Sequence, residues 1–137
     1  MWEQSAKQGL VDAQASLGDM YRLGSRDGPP MTIPVDPQLS FRWYLAAAKQ
    51  EHVDAMNDIG IHYENGTGGV EQNSETAFEW YTKAAKKGQK NAQCNLGLFY
   101  EHGRGEVEID LVQALHWYRK SAAQGLEQAI DAFERLS

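Results

Sequence analysis

Residues 77–105 read AFEWYTKAAKKGQKNAQCNLGLFYEHGRG, and most of this stretch is present again on either side. Upstream, Trp43-Tyr44-Leu45-Ala46-Ala47-Ala48 leads to Ile59-Gly60-Ile61-His62-Tyr63-Glu64-Asn65-Gly66. Downstream, Ala114-Leu115-His116-Trp117-Tyr118-Arg119-Lys120-Ser121-Ala122 starts a further copy whose second half decays. Trp43, Trp80 and Trp117 are spaced by 37 residues, as are Gly60 and Gly97, and Tyr63 and Tyr100. A constant period of this size is the mark of stacked units, none of which can bury its apolar face alone.

Within each unit, alanines and aromatics recur at three- and four-residue steps, the spacing of a helix with one buried stripe. Two helix types alternate. The first type is expected over 12–23, 53–65 and 90–102, and the second over 37–50, 74–87 and 111–124. Asp36, Asn73 and Asp110 stand where an N-cap is needed, with Pro37 at N1 of the first of these helices and Gln113 completing a capping-box pattern. Residues 2–9 align with 81–88, so they are expected to be the end of a second-type helix closed by Gly9, as Gly88 and Gly125 close theirs. Glu51 takes that place in the first full unit, and the junction there is expected to turn differently.

Gly18, Gly60 and Gly97 recur within first-type helices at a cost of about 1 kcal/mol each relative to alanine. The expected return is close approach of a bulky aromatic from the paired helix. Trp43, Trp80 and Trp117 are expected to fill the space between units, next to alanines that let helices pack closely. The interval from Gly18 to Gly60 is 42 residues, and the five extra fall in residues 24–37, which contain all four prolines. That loop is either a source of specificity or tolerated surface. At the other end, Glu134 and Ser137 replace the repeat's glycine and tyrosine, so residues 126–136 read as a capping helix with a polar outer side.

Composition excludes several functions. The 137 residues carry a formal charge of −6, with no clustered Lys and Arg for nucleic-acid phosphates. Cys94 is the single cysteine, which rules out an internal disulfide framework. No apolar run approaches the roughly 18 residues of a membrane span, and the first residues do not read as a signal peptide. A soluble chain is expected, with its compartment unspecified. His52, His62, His102 and His116 lack metal-ligand spacing. His62 shares its place with Met20 and Phe99 and reads as a packing residue. His102 beside Glu101 lacks a nucleophile, and Cys94 has no activating neighbour. No catalytic residue, metal site or cofactor is expected.

The pattern A-x-x-x-L-G-x-x-Y-x-x-G, a glycine-rich link, then A-x-x-W-Y-x-x-A-A-x-x-G resembles the Sel1-like repeat, a relative of the tetratricopeptide repeat. The resemblance implies an all-α, right-handed α-α superhelix, or solenoid, of helix-turn-helix units. These are a partial unit over 1–11, repeats over 12–51, 52–88 and 89–125, and a C-terminal capping helix over 126–137. It also implies a concave face lined by first-type helices. By register this face carries Asp12, Asp19, Arg22, Asp54, Asn57, Ile61, Glu64, Asn91, Leu98, Glu101, Asp131 and Arg135. The carboxylate-clamp residues of tetratricopeptide domains are missing from the matching positions.

The implied function is a non-catalytic scaffold that binds a protein or peptide segment with basic residues around an apolar anchor, its oligomeric state unspecified. The competing reading of the acids is a solvated face. Two alternatives stand beside the scaffold: a β-lactamase-like hydrolase of the same family, whose members carry a cysteine pair per repeat that this chain lacks, and a purely structural segment of a longer array.

Overall fold

The structure, a computed structural model, describes residues 2–24 and 34–137. Among these the chain is helix and turn: α1 (Trp2–Leu23), α2 (Pro37–Lys49), α3 (Val53–Asn65), α4 (Ser74–Lys86), α5 (Lys90–His102), α6 (Leu111–Ala123) and α7 (Glu127–Leu136). They divide into two compact units, Met1–Gln72 and Asn73–Ser137. In the first, α2 packs against both α1 and α3; in the second, α5 packs against α4 and α6, and α6 against α7. Most of the proline-rich loop expected over 24–37, including Pro29 and Pro30, lies outside the described residues.

The second-type helices start where their caps place them. Asp36 Oδ1 accepts from Leu39 N at 3.1 Å, Asn73 Oδ1 from Thr76 N at 3.1 Å, and Asp110 Oδ1 from Val112 N and Gln113 N at 3.1 Å each. Each bond satisfies a donor that the first turn of a helix leaves without an intrahelical partner. Two first-type helices, α3 and α5, use caps that the repeat pattern does not announce. His52 Nδ1 accepts from Ala55 N at 3.1 Å, and Gln89 Oε1, in the same register, accepts from Ala92 N at 2.6 Å.

Two expectations are corrected. Gly9 does not end a helix: α1 runs through it without interruption, and Gln8 Nε2 donates to Asp12 Oδ1 at 3.0 Å across it. Glycine permits a left-handed turn but does not demand one, and it remains helical where nothing else forces the break. Conversely, the junction at Glu51 turns like the others. Its φ of 67° matches 96° at Gly88 and 85° at Gly125. The same bond closes all three turns, from Glu51 N to Ala48 O, Gly88 N to Ala85 O and Gly125 N to Ala122 O, at 2.9–3.0 Å. The pairing of helix ends fixes the backbone there, and the side chain bears a strain of about 1 kcal/mol.

Gly18 and Gly97 have the role expected of glycines inside first-type helices, and the aromatic they admit is tyrosine. A Cβ on Gly18 would sit 2.6 Å from the Tyr44 ring, and one on Gly97 would sit 2.6 Å from the Tyr118 ring. Tyr44, Tyr81 and Tyr118 are the largest fully buried side chains. Their tryptophan neighbours are less enclosed: Trp117 is buried, but Trp43 and Trp80 are half-buried. Spacing accounts for the difference. Tyr44 shares a helix face with Ala47 and Ala48, at i+3 and i+4, whereas Trp43 is turned about 100° away. Trp80 and Trp117 are partly roofed by lysines three residues on, with Lys83 Nζ 4.7 Å from the Trp80 ring centroid and Lys120 Nζ 5.2 Å from that of Trp117.

Candidate functional site

One buried tyrosine in each unit, Tyr44 in the first and Tyr118 in the second, places its hydroxyl among charged residues of the first-type helices. In the second unit, Tyr118 Oη donates to Glu101 Oε1 at 2.8 Å, and Arg135 Nη2 of α7 donates to the same oxygen at 2.8 Å. The Glu101 side chain is only 8% exposed. The Arg135 guanidinium above all, helped by the Tyr118 hydroxyl, holds its carboxyl below the usual carboxylate range. Burial first, and then the bond to Glu101, pushes the Tyr118 phenol up. Arg135 thus spans from α7 to α5 over the tyrosine and closes this end of the unit.

In the first unit the hub is assembled from other charges. Arg22 Nε donates to Tyr44 Oη at 2.9 Å, and Tyr44 donates to Asp19. Arg22 occupies the register of Glu101, and Ile61 that of Arg135. No cation therefore reaches back from α3, and the space above the hub is a cavity of about 300 Å³. Arg22, Tyr44 and Asp58 form its polar wall, and Pro37, Ile61 and the His62 ring its apolar one. Burial pushes the Asp58 carboxyl up to about 7, with Asp19 and Asp54 adding to the rise and Arg22 opposing it. His62 is buried, with Nδ1 2.8 Å from Thr67 Oγ1 and its ring edge-on to Phe41. Burial holds it below its ordinary pKa, which fits the packing role expected of it.

The structure sorts the expected site residues into three groups. Asp12, Asp19, Arg22, Asp54, Ile61, Asn91, Asp131 and Arg135 are exposed, with Asp19 and Arg22 already engaged at the hub. Glu64, Leu98 and Glu101 are half-buried; Leu98 packs against the cluster around Cys94, Tyr118 and Ala129, and Glu101 is tied to Arg135. Asn57 is buried at 5% exposure, as are Ala15 and Cys94 in the same register, so it faces the interior and not a partner. Burial also pushes the Cys94 thiol up, which disfavours the thiolate that nucleophilic chemistry needs.

Sequence reasoning missed Tyr44, Tyr118 and Asp58. A signal was present: Tyr44 is followed by Ala47 and Ala48 and Tyr118 by Ser121 and Ala122 at the same offsets, and Asp58 is an acid at a place held by Ser16, Asn95 and Ala132 in the other copies.

A family model described as Sel1 repeat matches residues 11–52, 53–89 and 90–126. Among solved structures, the chain is similar to a Sel1 repeat protein from Oxalobacter formigenes, with 29% identity and a TM-score of 0.79 over 92% of this chain and 49% of that one. It is similar also to c5321, described as a protective antigen present in uropathogenic Escherichia coli strains displaying an SLR fold, with 35% identity and a TM-score of 0.77 over 93% of this chain and 26% of that one. A third is Helicobacter pylori cysteine rich protein B, with 23% identity and a TM-score of 0.69 over 94% and 92% of the two chains; at that identity the likeness shows the fold alone. The chain spans about half the length of the first of these and about a quarter of the second. The all-α repeat fold expected from the sequence is the fold they share. No helix among the described residues is long and apolar enough to cross a membrane.

Proposed function

The chain belongs to the Sel1 repeat family, whose members are generally protein-interaction scaffolds, and from that premise we propose that it is a non-catalytic adaptor holding a basic partner segment on its first-type helices. The observation that carries the proposal is the surface of α1 and α3 in the first unit. Exposed Ile61 is accompanied there by exposed Asp12, Asp19 and Asp54, with Arg22 as counter-charge, in a chain of net charge −6. An apolar contact within an acidic field fits a segment carrying an apolar anchor between basic residues, with charge setting orientation and on-rate. Asn57 and Glu101 contribute to the fold and not to this surface. Leu98 is spent in part on the second unit's core.

The test is binding of a basic peptide with a central leucine, measured by titration calorimetry at low salt to wild type and to the Asp12→Lys/Asp54→Lys variant. The variant is expected to bind about tenfold more weakly, and the difference to shrink as salt screens the exposed charges. Equal affinity at low salt would overturn the proposal.

A further inference from the structure

The two tyrosine hubs are built on one register. Arg22, Tyr44 and Ile61 of the first unit correspond to Glu101, Tyr118 and Arg135 of the second. In the second unit the space across the tyrosine hydroxyl is crossed by a guanidinium, held at 2.8 Å to a carboxylate that also accepts from the tyrosine. In the first unit the corresponding residue is aliphatic, and a cavity of about 300 Å³ opens beside Tyr44 and Asp58. That volume is at the lower end for a ligand pocket, suited to one side chain and not to a drug-sized molecule.

The geometry points to this cavity as an anchor pocket for a single arginine side chain of a partner segment, which would enter over Ile61 and place its guanidinium against Asp58, as Arg135 lies against Glu101. The inference rests on the reading above and sharpens it by naming the anchoring residue and its place.

Charge decides the sign of the ligand. The groups facing Asp58 are Asp19 and Arg22 from α1, Tyr44 from α2, and Asp54 and His62 from α3. Against three carboxyls there is one guanidinium, and Arg22 already donates to Tyr44. His62 is held toward its neutral form by burial. An added cation offsets like-charge repulsion, whereas an anion would add to it. Arginine fits better than lysine because its planar fork can bond a carboxylate through two N–H groups while its stem lies on Ile61 and Pro37. An entering cation also favours the ionised carboxyl of Asp58. Since that group is pushed up to about 7, binding should release protons near neutrality and strengthen as pH rises through 7.

The test uses N-acetyl-arginine methylamide as probe and its citrulline counterpart as the neutral control, followed by amide NMR shifts at pH 5.5 and 7.5. The arginine probe is expected to move Arg22, Asp58 and Ile61 and the citrulline probe to leave them in place. Affinity should be weaker at pH 5.5, and about tenfold weaker at pH 7.5 in Asp58→Asn. Ile61→Arg copies Arg135 in register and should fill the pocket from within, abolishing the shifts; thermal melts check that both variants fold. Shifts centred elsewhere, shifts of equal size with citrulline, or full binding by Ile61→Arg would overturn the assignment. If the probe fails while Asp12→Lys/Asp54→Lys still weakens the longer basic peptide, the pocket falls and the adaptor reading stands. If the probe enters while that variant changes nothing, the acidic surface falls and the pocket stands.

Discussion

Tyr44 and Tyr118 occupy the same position of the repeat, each against a glycine that leaves room for its ring, yet their surroundings respond to pH in opposite senses. Around Tyr118, a nearly buried carboxylate and a guanidinium from the next first-type helix form a closed bridge. Around Tyr44, the cation and one acid both come from α1, and a second acid, Asp58, stands across a cavity with burial opposing its charge. The repeat therefore specifies the ring and its glycine, whereas the charges about the hydroxyl are free to differ between copies. One copy spends them on stability, and the other keeps strained charge at its surface. Strained charge beside a cavity is a common mark of a functional site.

The largest expected effect is at Asp58. Its folded carboxyl keeps a proton to about pH 7 against an ordinary value of 3.8, so its contribution to stability is full below about pH 4 and is lost as pH rises toward 7. Asp58→Asn should therefore raise the unfolding free energy by about 2–4 kcal/mol at pH 8 and by almost nothing at pH 4, as read from urea melts. Glu101 has the opposite sign: its lowered pKa gives stability that is present above the ordinary carboxylate range and lost as pH falls through the folded value. A gain for Asp58→Asn that does not depend on pH would break the comparison.

Removing each tyrosine hydroxyl sharpens it. Tyr118→Phe takes a donor from a carboxylate that is 8% exposed and should cost about 1–2 kcal/mol. Tyr44→Phe leaves Asp19, whose side chain is 52% exposed, in reach of water and should cost about 0.5 kcal/mol or less. Equal losses in chemical denaturation would show that the two hubs are alike. Smallest is the helix junction, where Glu51→Gly should add about 0.5–1 kcal/mol by relieving a left-handed backbone. The same substitution at exposed Glu71, outside the junction, should add none.

Much of the fold was legible because the repeat states it three times. Six helices, their aspartate and asparagine caps and the glycine–aromatic contacts follow from period and spacing. What was not legible depends on backbone context. Gly9 reads as a terminator by alignment, but a glycine stays helical unless the following helix folds back. Glu51 reads as an exception, although the closing bonds impose the left-handed turn on whatever residue stands there. The candidate site was legible only as a face. Which acids are satisfied and which are strained depends on Arg135 and Ile61 occupying one register, a relation that becomes meaningful only once Tyr44 and Tyr118 are known to project between them. Asn57 was assigned to the face by the same alignment, and its burial shows that register places a residue on a helix without saying how deep the helix lies.

Carboxyl carbon NMR followed through a pH titration of the intact chain reads both hubs in one sample. The account predicts that Asp58 titrates near pH 7 and that Glu101 titrates below the usual carboxylate range. If both carboxyls instead titrate together at ordinary values, the contrast between an open and a closed hub is wrong.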